Sequence, residues 1–315
     1  MMITLTADAP DSLTRSNPSQ RPPLRVALIQ HRWRADHSEL TRALGDAIER
    51  AAAAGARAVF LPELTLSRYP GDLPAPSPPV SAAEDLAGGP TLAFAAENAR
   101  ANEVFVQASL YERAAPADGE DDGLGYNTAI LVSPAGELVA RVRKMHIPDS
   151  DCYRERSYFR PGPLDGDPYP VIETNGLDAR IGLPTCWDEW FPEVARAYSL
   201  RGAEIIVYPS AIGSEPSFPE FDSEPRWRQV IVGNGIANGL FMIVPNRTGD
   251  EGTLQFYGSS FISDPYGRLL VRAPRDEEAL LIADLDLDQR RDWLEAFPFL
   301  RTRRPDSYRT LVAPV

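Results

Sequence analysis

Short apolar runs alternate with helical periods along this chain from Leu24 onward. Val26-Ala27-Leu28-Ile29 reads as a strand, and Leu40, Leu44, Ala47, Ile48 and Ala51 then recur at helical spacing behind Ser38, a candidate N-cap. Gly55 ends that helix, and Ala58-Val59-Phe60-Leu61 forms the next strand, closing on Pro62-Glu63. A Pro-rich stretch over 70–90 follows, too long for a simple connection and readable as a lid or a surface excursion. The same scheme returns at Ile181, 191–200 and 204–208, with further strands near Phe241, 259–262, 269–271 and 279–285. One echo stands out. Gly55-Ala56 through Pro62-Glu63 resembles Gly202-Ala203 through Pro209-Ser210, which suggests two related halves whose strand ends open on one site. Hairpin signals mixed with αβ alternation predict an α/β protein with mixed sheets covered by helices, a single domain over 24–315. Residues 1–23, rich in Ser, Thr, Asp and Pro, read as a disordered N-terminal tail without the apolar segment of a secretory signal.

The 315 residues are 43% hydrophobic, enough for a sizeable core. A formal net charge of −13 argues against nucleic acid or an anionic membrane as partner. No apolar run is long enough to span a bilayer. Two cysteines, Cys152 and Cys186, make no disulfide framework and suit a reducing cytoplasm.

Cys186 sits where a buried strand turns sharply into a helix start, within Leu183-Pro184-Thr185-Cys186-Trp187-Asp188-Glu189-Trp190-Phe191-Pro192-Glu193. A thiol near a helix N-terminus has its thiolate favoured, and the thiolate is the nucleophile. Glu63 and Lys144 also follow strands, at the ends where α/β folds place functional groups. The three make a chemically sufficient set. A thiolate attacks a carbonyl carbon, a carboxylate moves protons and activates water, and a cation stabilises the oxyanion with help from the Trp187 N–H. The three histidines, His31, His37 and His146, lack metal-ligand spacing, and a papain-like pairing of Cys186 with His146 explains less than Glu63 and Lys144 do.

Pro62-Glu63-Leu64, Arg143-Lys144-Met145-His146-Ile147-Pro148 and Cys186-Trp187-Asp188 are the three motifs by which the chain resembles the nitrilase superfamily of carbon–nitrogen hydrolases. The resemblance implies a four-layer α-β-β-α sandwich, assembly into homo-oligomers, and no metal or organic cofactor. It makes Glu63 the general base, Lys144 the oxyanion cation and Cys186 the nucleophile. Glu112 matches the second glutamate that positions the lysine and the substrate. Longer matches around 186–193, 208–216 and 303–308 are similar to the N-carbamoylputrescine amidase branch, implying an N-carbamoyl amine or aliphatic amide as substrate. A true nitrilase and a non-catalytic scaffold member are the alternatives. The chain departs from the branch at Glu189, where glutamine is usual, and in the loop reaching Tyr69. Trp187, Asp188, Glu189 and Tyr69 are therefore the candidate substrate-binding residues. Glu215 and Asp222 are further acids that a cationic tail would welcome, and Trp190 and Tyr208 could wall an apolar tunnel.

Overall fold

A computed structural model describes residues 2–117 and 119–313. Two sheets stack face to face with helices on their outer sides, the α-β-β-α sandwich expected from the motifs. The first sheet contains β1 (Ile3–Ala7), β2 (Leu24–Gln30), β3 (Ala58–Phe60), β4 (Phe105–Glu112), β5 (Tyr126–Val132), β6 (Leu138–Arg143) and β15 (Ala279–Leu285). Their spatial order is β1-β15-β2-β3-β4-β5-β6. The second contains β7 (Ile172–Glu173), β8 (Arg180–Gly182), β9 (Ile205–Val207), β10 (Phe241–Val244), β13 (Phe261–Ser263) and β14 (Leu269–Arg272), ordered β14-β13-β10-β9-β8-β7. β11 (Thr248–Asp250) and β12 (Gln255–Tyr257) form a separate hairpin. Parallel β2/β3/β4 and antiparallel β4/β5/β6 confirm the mixed pairing.

Period-two alternation explains the layers. Val26 and Leu28 face the core between the sheets, with Ile205, Val207, Phe241 and Ile243 from the opposite sheet. Ala27 and Ile29 face the other way, onto α1 (His37–Ala53) and α2 (Pro90–Asn102). Ile206, Met242 and Val244 likewise meet α3 (Pro192–Leu200) and α4 (Glu224–Asn238). β3, β9 and β10, buried on both faces, therefore read as continuous apolar runs, whereas β4 and β5 also bury Gln107, Ser109, Asn127 and Thr128. α5 (Asp288–Ala296) follows β15. The five predicted apolar positions of α1 are its buried residues, but Asp36 rather than Ser38 caps it, accepting the Ser38 and Glu39 N–H groups.

The N-terminal segment departs from expectation. Residues 3–7 form β1, parallel to β15 from Ile3 opposite Ala279 to Ala7 opposite Ala283. Ile3, Leu5 and Ala7 pack against the inter-sheet core. Arg15 then bonds Asp292 at 2.9 Å, and Arg21 bonds Glu204 at 2.8 Å and Asp288 at 3.2 Å. The polar composition masked a five-residue alternation, and β15 offered that alternation an otherwise open sheet edge. The Pro-rich stretch lies along β4, with Glu84 N–H donating to Tyr111 and Arg113 N–H donating to Glu84.

Candidate active site

Three strand ends deliver the site. Glu63 follows β3 on a turn that carries Leu64 at φ 49°, a left-handed conformation. Arg247, fully buried, clasps this turn by donating to the carbonyls of Glu63 (3.0 Å), Leu64 (2.8 Å) and Ser67 (2.8 Å). Arg247 is itself held by Glu251 at 2.6 Å, whose other oxygen accepts the Tyr69 N–H at 2.9 Å. Lys144 leaves β6 with its N–H donating to Asn127 O at 2.8 Å. Cys186 lies beyond β8 at φ 37° and opens a one-turn helix over Cys186–Trp190. Its own N–H donates to Pro209 O at 3.0 Å, so the end of β9 pins the nucleophile turn. The sequence echo thus has a structural counterpart, since β3 ends on Glu63 and β9 ends on the segment that holds Cys186.

Glu63 and Lys144 are both buried and bonded directly, Nζ donating to Oε1 at 2.8 Å. Asn127 Nδ2 donates to the same oxygen at 2.7 Å. Glu63 Oε2 is buried with no hydrogen-bond partner among the described residues. The second Lys144 contact is Glu155 Oε2 at 2.7 Å, and Tyr69 donates its hydroxyl to Glu155 Oε1 at 2.9 Å. Burial lowers the Lys144 pKa, but Glu155 and Glu63 outweigh it, and the net shift is upward. The lysine is therefore a fixed cation. Burial and the nearby Glu63 raise the Glu155 carboxyl, against the pull of Lys144. Two carboxylates on one lysine cannot both keep full charge at no cost.

Glu112 does not take the position expected for it. Its carboxylate accepts from Arg143 at 2.8 and 2.7 Å, from Thr128 at 2.7 Å and from Arg141 at 3.4 Å, and it forms no hydrogen bond to Lys144. Burial pushes its pKa up, yet Arg143 and Thr128 hold it below the usual range. β4 directs Glu112 across β5 toward Arg143, while Lys144, one residue on, faces the opposite way. Glu155, from the loop between β6 and β7, makes the Lys144 contact expected of Glu112. Its sequence context, Tyr153-Arg154-Glu155-Arg156, carries no strand-end signal. Only its closeness in sequence to Lys144 could have pointed to it.

The resting thiol also differs from expectation. Burial, Glu63 and Glu189 push the Cys186 pKa well up, and Lys144 offsets this only in part. The first helical turn here is short and enclosed by carboxylates, so desolvation outweighs any dipole effect.

The candidate substrate-binding residues separate into different environments. Trp187 is 37% exposed and lines a cavity of about 480 Å³ together with Cys186, Glu155, Trp190, Ile212 and Glu215. Asp188 does not reach it. It accepts the N–H groups of Thr185 and His146, each at 3.0 Å, and contacts His146 Nδ1 at 2.6 Å, so it fastens the nucleophile turn. Glu189 is buried behind Cys186, accepting from Trp227 Nε1 at 2.6 Å with Ser210 Oγ at 3.3 Å. Tyr69 is buried and serves Glu155, and Tyr208 lies in the core beneath α3 and α4. The Pro-rich stretch contributes nothing to the cavity wall. Among the described residues, no group of three His, Cys, Asp or Glu side chains is arranged to hold a metal ion.

Residues 25–295 match the carbon–nitrogen hydrolase family. The chain belongs to that family. N-carbamoylputrescine amidase of Solanum tuberosum is 37% identical over 238 residues, covering 73% of this chain and 75% of the relative. Citrullinase of Francisella tularensis is 33% identical over 293 residues, covering 92% of this chain and 98% of the relative. A crystal structure of a carbon–nitrogen hydrolase from Helicobacter pylori superimposes with a TM-score of 0.82 at 31% identity, covering 92% of this chain and 99% of that one.

Proposed function

We propose that the chain hydrolyses a C–N bond of a small N-carbamoyl or aliphatic amide substrate through a thioester on Cys186. The observation that carries this is the buried Glu63–Lys144 pair at 2.8 Å, with Glu63 Oε2 left unpartnered beside the nucleophile turn. A thiol held protonated by its surroundings needs a base at the moment of attack, and Glu63 is a carboxylate with a free oxygen there. Cys186 Sγ bonds to the carbonyl carbon as Glu63 takes the thiol proton. Lys144 and the Trp187 N–H stabilise the oxyanion. The C–N bond breaks as Glu63 passes its proton to the departing nitrogen, which leaves as ammonia. Water, deprotonated by Glu63, then cleaves the thioester and restores the thiol. From a ureido substrate this yields a carbamic acid, which decomposes to the amine and carbon dioxide. N-carbamoylputrescine and citrulline, for which two relatives are named, both end in a ureido group, which supports that substrate class.

The test is ammonia release by wild type and Cys186→Ala across N-carbamoyl amines, aliphatic amides and nitriles, with mass spectrometry for the acylated enzyme. Cys186→Ala should lose on the order of 10,000-fold or more in kcat while staying folded. Retained activity in that variant would overturn the mechanism, and turnover of nitriles alone would move the enzyme to nitrilase chemistry.

A further inference from the structure

The cavity above Cys186 is walled mainly by Pro148, Trp187, Trp190, Ala211, Ile212 and Phe221. Three charged side chains interrupt that apolar wall: Glu155, Glu215 and Arg226. Glu155 is committed to Lys144 and Tyr69. Among the described residues, Glu215 and Arg226 form no ion pair, with each other or with anything else. Glu215 is half-buried, on the loop after β9, and burial raises its carboxyl pKa. Arg226 stands in the first turn of α4 at the cavity rim, its guanidinium 5.4 Å from the Phe221 ring centre and donating to Asp222 O at 3.2 Å. Trp190 Nε1, a buried donor in the same wall, also lacks a partner, and the Ser223 hydroxyl stands beside Glu215.

Glu215 is half-buried and Arg226 is exposed at the rim, so water serves both charges until a ligand fills the cavity, and a ligand that meets only one of them strips water from the other without replacing it. A tail carrying only an ammonium would meet Glu215 but stand beside the Arg226 cation. A tail carrying only a carboxylate would meet Arg226 but face Glu215. A tail carrying both groups compensates the two walls at once, and Trp190 Nε1 offers a further donor in the same wall. We propose that the cavity takes a ureido or amide compound whose far end is an amino-acid head, with Glu215 receiving the ammonium and Arg226 the carboxylate. This rests on the reading of the cavity as the seat of a Cys186 hydrolase.

Four probes sharing one ureido group separate the tails: citrulline (both charges), N-carbamoylputrescine (ammonium), 5-ureidopentanoate (carboxylate) and butylurea (neither). For the wild-type enzyme, kcat/KM should be greatest for citrulline, by about tenfold over each singly charged probe, mainly through KM. In Arg226→Gln the citrulline-to-butylurea ratio should fall about tenfold and the preference should pass to N-carbamoylputrescine. In Glu215→Gln the preference should pass to 5-ureidopentanoate. Calorimetric binding of the four probes to Cys186→Ala ranks the tails independently of turnover. Citrulline binding tightest there, even without hydrolysis by wild type, supports the tail assignment while overturning the hydrolase reading. Citrulline binding no tighter than N-carbamoylputrescine, or a ranking unmoved by Arg226→Gln, overturns the assignment.

Discussion

Glu63 and Glu189 are two buried glutamates beside Cys186, and their surroundings differ. Glu63 is met by a cation, Lys144, and by an amide donor, Asn127. Glu189 is met only by neutral partners, the Trp227 indole at 2.6 Å and the Ser210 hydroxyl. Burial accordingly pushes the Glu189 pKa well up, with Glu63 adding to the shift after the Trp227 bond has opposed it. The single Ser210 proton serves one of two acceptors, Glu189 Oε2 at 3.3 Å or Tyr208 O at 2.9 Å. Partners, more than residue type, decide whether a buried carboxyl is a base or a neutral structural acid.

The comparison breaks first at Glu63. Glu63→Gln should lower kcat roughly 100- to 10,000-fold with the fold intact, as measured by ammonia release and circular dichroism. Near-normal turnover would remove Glu63 from the proton path. His31 extends the comparison to a buried base. Burial and Arg247 lower its pKa from 6.5 to about 4. The folded state then disfavours the charged ring, so its stabilising contribution is whole above pH 6.5 and is lost as pH falls from there toward 4. The loss is about 3 kcal/mol. His31→Gln should flatten the stability–pH slope in that window, as read by denaturant unfolding. Glu189→Ala should cost about 1–3 kcal/mol by leaving the Trp227 N–H unpaired. Glu189→Gln should be the mildest change, within roughly 0.5 kcal/mol in acid. A raised carboxyl pKa gives stability that is whole below the unfolded value of about 4.5 and is lost as pH rises through the raised value. The Gln variant should therefore gain on wild type as pH increases, and a constant difference across pH would show Glu189 ionised.

Much of the fold was legible because the strands carry their burial in their composition. The runs at 26–29, 58–61 and 205–207 are apolar on both faces since each lies between a sheet and a helix layer. Glu63 and Cys186 were legible for a related reason, each following a buried apolar strand, whereas Lys144 follows the exposed edge strand β6 and was legible from its motif. Glu155, Arg247 and the Arg15 and Arg21 anchors were not. Their partners lie 11 residues away for Glu155 with Lys144, but 184 for Arg247 with Glu63 O and 277 for Arg15 with Asp292. No local pattern encodes contacts that loops make only after the sheets have stacked.

Alone, the sequence determined the sandwich, the strand ends that carry Cys186, Glu63 and Lys144, and membership in a family of C–N hydrolases. Periodicity and motif spacing are local properties, and these features are local. Only the tertiary structure decided which glutamate meets Lys144, that burial pushes the Cys186 thiol pKa up, and that Asp188 and Glu189 bond to the scaffold rather than line the cavity. Each of those depends on desolvation and on the direction a side chain takes across a sheet. Both are set by neighbours distant in the chain.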